Sequence, residues 1–116
     1  MRLFPVFIFL VLVVHSANSQ KINVGIDYCQ IKGSVYIEEF PADADILVYE
    51  EDSEAFADML IYESDNALFA DKPGIWHFVD QKAFADFTIG FVDVKNHANI
   101  TIYFTSFESF AGCVNE

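Results

Sequence analysis

The stretch 46-ILVYEEDSEAFAD-58 is followed at once by 59-MLIYESDNALFAD-71. Both run through an apolar segment, a tyrosine, an acidic and polar stretch and then Phe-Ala-Asp. The same frame extends in both directions. Ala44-Asp45, Ala57-Asp58, Ala70-Asp71, Ala85-Asp86, Ala98-Asn99 and Ala111-Gly112 are spaced 13, 13, 15, 13 and 13 residues apart. Six units therefore fill residues 33–112, and the two extra residues fall at Lys72-Pro73.

Stacked in this register, the first half of each unit has the period of a strand. Val35, Val48, Ile61, Trp76, Ile89 and Ile102 form one apolar column, and Gly33, Ile46, Met59, Gly74, Phe87 and Ile100 stand two residues earlier. The intervening column, Tyr36, Tyr49, Tyr62, His77, Gly90 and Tyr103, faces the other way. Alternation of this kind in β-branched and aromatic residues predicts short strands. The second half predicts a turn. Asp52, Asp65, Asp80 and Asp93 open it, with Glu39 and Ser106 in the outer units, as residues that cap free backbone N–H groups. Phe56, Phe69, Phe84 and Phe110 then precede the alanine and are expected to pin each turn to the body. The constant alanine marks a place where another backbone passes closely. A unit of one strand and one turn cannot bury itself and must pair with other units. The expectation is a small, single, all-β domain of short strands built from six pseudo-repeats of about 13 residues.

The amino terminus reads differently. Met1-Arg2 precedes an apolar run from Leu3 to Val14, and small residues stand at Ala17 and Ser19. This is the pattern of a secretory signal peptide, too short for a span of about 20 residues. Cleavage is expected after Ser19, with Ala17 as the alternative. The division is then 1–19 signal peptide, 20–28 N-terminal segment, 29–113 repeat domain and 114–116 tail. Loss of Arg2 would take the net charge from −12 to −13. Such acidity excludes nucleic acid and anionic membrane surfaces as partners. The expected localisation is secreted and extracellular, with an extracellular partner of unspecified identity. In that compartment the two cysteines, Cys29 and Cys113, are expected to form a disulfide.

The tandem Val-Tyr-x-x-Asp-x-x-x-x-Ala-Asp units, with 74-GIWHFVD-80 after the insertion, resemble the 7(1) septoil knot domain family over roughly residues 29–113. The resemblance implies a β-rich domain with a deeply knotted backbone, against the usual rule that chains do not thread loops. It carries no catalytic residues. It also implies that a Cys29–Cys113 bridge would close the knotted segment into a covalent ring. Asn99, Gly112, Gly90 and Pro41 depart from the repeat pattern.

Chemistry-bearing motifs are sparse. After the signal peptide only His77 and His97 remain, each standing in a repeat column, and no nucleophile–base–orienter set is present. No enzyme and no cofactor are expected. The recurrent aspartates raise calcium binding, although no EF-hand loop is present. The tyrosine column raises glycan or protein binding. Asn99-Ile100-Thr101 is an N-glycosylation sequon. The expected function is a non-enzymatic structural or interaction module, with a calcium- or glycan-binding module as the alternative.

Overall fold

A computed structural model describes residues 26–114. Seven strands alternate with short 3-10 helices. The strands are β1 (Gly33–Ile37), β2 (Ile46–Glu50), β3 (Met59–Glu63), β4 (Ile75–Phe78), β5 (Phe87–Phe91), β6 (Ile100–Phe104) and β7 (Gly112–Cys113). The helices are η1 (Tyr28–Gln30), η2 (Pro41–Asp43), η3 (Glu54–Phe56), η4 (Ala67–Phe69), η5 (Lys82–Phe84), η6 (Lys95–His97) and η7 (Glu108–Phe110). The all-β class and the six units follow the repeat register.

The pairing does not follow chain order. The sheet runs β4-β1-β5-β2-β6-β3, and a β3–β4 pairing closes it into a six-stranded barrel. Every pair within the barrel is parallel, and β7 alone adds antiparallel to β3. Consecutive strands β1 and β2 are separated by β5, and β2 and β3 by β6. The chain therefore circles the barrel once with β1, β2 and β3. It then circles again, placing β5 and β6 in the gaps. The single departure is β3 to β4, which are neighbours. The two residues inserted at Lys72-Pro73 lie at this change of circuit. Parallel strands usually need a connection of a dozen or more residues. Here residues 38–45 suffice to connect β1 to β2. Five-residue strands span only about 17 Å, which an eight-residue return can retrace.

The column Val35, Val48, Ile61, Trp76, Ile89 and Ile102 is wholly buried and fills the barrel with Met59, Ile46 and Ile100. Trp76 packs edge-on to Phe87, ring centroids 5.4 Å apart, and its Nε1–H donates to the Ile31 carbonyl at 3.2 Å. The tyrosines at 36, 49, 62 and 103 are half-buried on the outer side.

The aspartates that matter are those after alanine, not those that open the turns. The four parallel pairings made by β5 and β6 each begin one residue too late to satisfy the neighbouring strand, and the Asp or Asn just before one of the two strands supplies the missing acceptor. Thr88 N–H donates to Asp45 Oδ2 at 2.9 Å, and Thr101 N–H donates to Asp58 Oδ2 at 3.1 Å. Ser34 N–H donates to Asp86 Oδ2 and Leu47 N–H to Asn99 Oδ1, both at 2.7 Å. The threonines return the bond: Asp45 N–H and Asp58 N–H donate to Thr88 Oγ1 and Thr101 Oγ1, each at 2.9 Å. Asp52, Asp65, Asp80 and Asp93 are exposed. The side-chain caps of η3 and η4 come from the next residue along, Ser53 and Asn66, which accept from Ala55 N–H and Leu68 N–H.

The phenylalanines are also corrected. Phe56, Phe69, Phe84 and Phe110 do not pin the turns; they are 51–67% exposed. Beyond η3, η5, η6 and η7 the chain enters extended backbone at Ala57, Ala85, Ala98 and Ala111. The Ala-Asp dipeptide docks on a neighbouring strand with the alanine inward, which turns the preceding side chain to the outside. Ala57 and Ala70 are buried, and Ala44, Ala85, Ala98 and Ala111 are half-buried.

The departures from the pattern have structural causes. Gly90 stands in an aromatic column because a Cβ there would lie 2.7 Å from Pro41 Cα and 3.1 Å from Ala44 Cβ. Pro41 fits the first position of η2. Gly112 adopts φ +120° as β7 starts and packs against Gly74, which has φ +85°. Asn99 retains the acceptor that its column requires.

Candidate functional site

The barrel interior is filled, so interaction surfaces lie outside it. Each outer crossing exposes a large apolar side chain: Phe40 before η2, Phe56, Phe69 and Phe84 on η3 to η5, Val94 before η6, and Phe107 with Phe110 at η7. Among the described residues Leu68 is the most exposed large apolar side chain, at 79%. Phe107 and Phe110 pair with ring centroids 5.2 Å apart.

Two crossings are fastened down by ion pairs that sequence reading missed. Lys82 Nζ lies 2.7 Å from Glu38 Oε2, and Lys95 Nζ lies 2.7 Å from Glu51 Oε2. Both glutamate side chains are only 10% exposed. The hydrogen bond to Glu38, reinforced by its charge, raises the Lys82 pKa above 10.5. The hydrogen bond to Glu51 does the same for Lys95, against an opposing desolvation. The two pairs are offset by one unit of 13 residues, as 38 with 82 and 51 with 95. The 13-residue step is that of the repeat, whereas the 44-residue distance within each pair follows from the interleaved strands.

The next step along the repeat pairs position 64 with position 108, where the residues are Ser64 and Glu108. No ion pair forms there. Ser64 is buried and donates its hydroxyl to the Asn66 carbonyl at 2.9 Å. An open groove of about 590 Å³ lies at this point, where η4, the Lys72 insertion and η7 come together. Tyr62, Phe69 and Ile75 give it apolar surface, and Asp65, Asp71 and Glu108 give it negative charge. Lys72 is its one lining cation.

The other sequence-based candidates are placed as follows. Cys29 and Cys113 are joined in a disulfide, Cα–Cα 5.3 Å, spanning 84 residues of sequence. Asn99 is exposed at the start of β6. His77 Nδ1 lies 2.9 Å from the Ser64 carbonyl, which makes it the donor, and His97 is exposed on η6. Among the described residues no group of three or more His, Cys, Asp or Glu side chains is arranged to hold a metal ion. Asp45, Asp58 and Asp86 each spend a carboxylate oxygen on a backbone amide. Among the described residues no helix is long and apolar enough to cross a membrane. The signal-peptide assignment to residues 1–19 lies outside the described residues.

No curated protein and no solved structure shows significant similarity to the chain. The sequence model for the 7(1) septoil knot domain matches residues 28–114, from η1 to just beyond β7. The span covers all six units and both cysteines, and the chain belongs to the 7(1) septoil knot domain family.

Proposed function

We propose that the protein is a secreted, non-enzymatic interaction module whose outer crossings bind another extracellular protein. The observation that carries this reading is the groove beside Ser64 and Glu108, lined by Phe69, with exposed Leu68 on the same helix η4 and exposed Phe107 and Phe110 at η7, the helix that supplies Glu108. Exposed apolar surface rimmed by charge is a feature of interaction sites. The chain has 18 acidic residues against 6 basic ones, and two of its lysines are held in ion pairs. The matching partner surface is basic with apolar side chains between its charges, and attraction of this kind weakens with salt. Secretion is supported by the signal-like amino terminus and agrees with the disulfide.

The test is capture from extracellular fluid by the mature, disulfide-bonded protein. It is compared with a Ser64→Glu/Glu108→Lys variant that rebuilds the ion pair of the other two positions. The variant should stay folded, fill the groove and lose the captured partner. Retention of the same partner by the variant would remove the groove from the reading. The alternative, a calcium- or glycan-binding module, is tested in the same assay: binding that requires calcium, or is displaced by free oligosaccharide, would replace the basic-protein reading.

A further inference from the structure

Asn99 occupies a column whose other bonded members, Asp45, Asp58 and Asp86, are aspartates. In all four, one side-chain oxygen accepts a backbone N–H of the neighbouring strand. Asn99 does so through Oδ1, 2.7 Å from Leu47 N, and its own N–H donates to the Leu47 carbonyl at 2.7 Å. The Nδ2 amide takes no part in the cap, and Asn99 is exposed. With Ile100 and Thr101 it forms the sequon on which oligosaccharide transfer acts. We propose that Asn99 carries an N-linked glycan and that its attachment leaves the strand cap intact.

In the transfer, Nδ2 attacks the anomeric carbon of a lipid-pyrophosphate-linked oligosaccharide. The N–C bond forms, the C–O bond to pyrophosphate breaks, and the lipid pyrophosphate leaves with the bonding pair. One amide proton is lost to a base of the transferase. The product amide keeps one N–H and, above all, keeps Oδ1 as acceptor for Leu47. An aspartate at position 99 would serve the cap equally well but could not be modified. The asparagine is therefore the one acceptor that supports both uses.

The folded chain hides the rest of the sequon. Ile100 and Thr101 are each 6% exposed, and Thr101 Oγ1 accepts from Asp58 N–H. Transfer must precede insertion of β6 between β2 and β3. The fold allows that interval, because β6 is the last barrel strand to be made and its bonding partners lie 43 and 52 residues earlier. Non-local pairing of this kind is slow.

The experiment expresses the full chain in a eukaryotic secretory cell and measures its intact mass and its mobility before and after peptide-N-glycosidase treatment. The expected result is a glycoform converted to bare polypeptide, with aspartate at position 99. The Asn99→Asp variant should be unglycosylated and still disulfide-bonded. Because enzymatic release installs the residue used elsewhere in the column, both forms should melt within about 2 °C of each other. A glycoform melting lower by the ~4–8 °C expected for a lost bond would refute the intact cap. Disulfide-bonded protein from the secretory lumen with unmodified Asn99 would overturn the site. The inference rests on entry into that lumen but not on the groove. A version with a heterologous leader in place of residues 1–19 tests Asn99 even where the native leader fails, and failure of the native leader counts against secretion alone.

Discussion

Replacing Asp58 by alanine tests the rule that holds the two circuits together. Asp58 stands immediately before β3, and β3 pairs with β6 only from Met59 opposite Ile102. Thr101 N–H, one residue before that pairing, finds its acceptor in Asp58 Oδ2 at 3.1 Å. Thr101 is 6% exposed, so water cannot replace the lost partner. A buried N–H left without an acceptor costs about 1–3 kcal/mol. For a domain of this size that is a fall in melting temperature of roughly 4–8 °C per kcal/mol. Asp58→Asn keeps an acceptor oxygen, as Asn99 does naturally, and should cost less than about 0.5 kcal/mol, in the range of neutral surface changes. Asp52→Ala, at an exposed residue, should also fall within about ±0.5 kcal/mol. The assay is urea unfolding of all three variants, with calcium absent and present. Equal effects of Asp58→Ala and Asp52→Ala would refute the cap assignment. A midpoint raised by calcium in wild type but not in Asp58→Ala would turn this aspartate into a ligand.

Three other outcomes follow from the same geometry. Gly90→Ala should destabilise by about 1–3 kcal/mol in denaturant unfolding, because its nearest obstacle is the Pro41 backbone rather than a movable side chain. Lys82 and Lys95 have raised folded-state pKa values, so their pairs stabilise fully below pH 10.5 and lose that contribution as pH rises through the folded values. A Lys82→Met/Lys95→Met variant should therefore lose less stability than wild type as the pH rises above 10.5, read by urea unfolding across that range. Cys29→Ser/Cys113→Ser should lose about 4.5 kcal/mol on the chain-entropy estimate for a loop of this length, read as a lower urea midpoint.

The strands were legible because burial repeats every second residue: Val35, Val48, Ile61, Trp76, Ile89 and Ile102 carry the core signal directly. The alanine column was legible in part: Ala57 and Ala70 are buried, while the other four alanines are half-buried. Strand order was not. Val35 and Val48 look like neighbours in a repeat, yet Phe87 stands opposite Val35, and nothing in a 13-residue period says that a second circuit fills the gaps. The role of Asp58 was missed because Asp52 and Asp58 look equally suited to capping; only the offset between β3 and β6 distinguishes them. The phenylalanines were misjudged because apolar character was read as burial, while the inward alanine after each one forces it outward. Glu38–Lys82 and Glu51–Lys95 were readable only once the 44-residue offset between interleaved units was known. The groove is the place where Ser64 and Glu108 break that rule.

The repeat serves the barrel on its inner side and leaves the phenylalanines of its 3-10 helices exposed on the outer side. The most direct measurement is the urea midpoint of a Phe56→Ser/Phe69→Ser/Phe84→Ser/Phe110→Ser variant. Truncating one buried phenylalanine costs about 3–5 kcal/mol, and four would exceed the whole stability of a small domain. Exposed ones cost little. The expected result is a folded variant with a midpoint close to wild type; a chain that no longer folds would place these phenylalanines in the core.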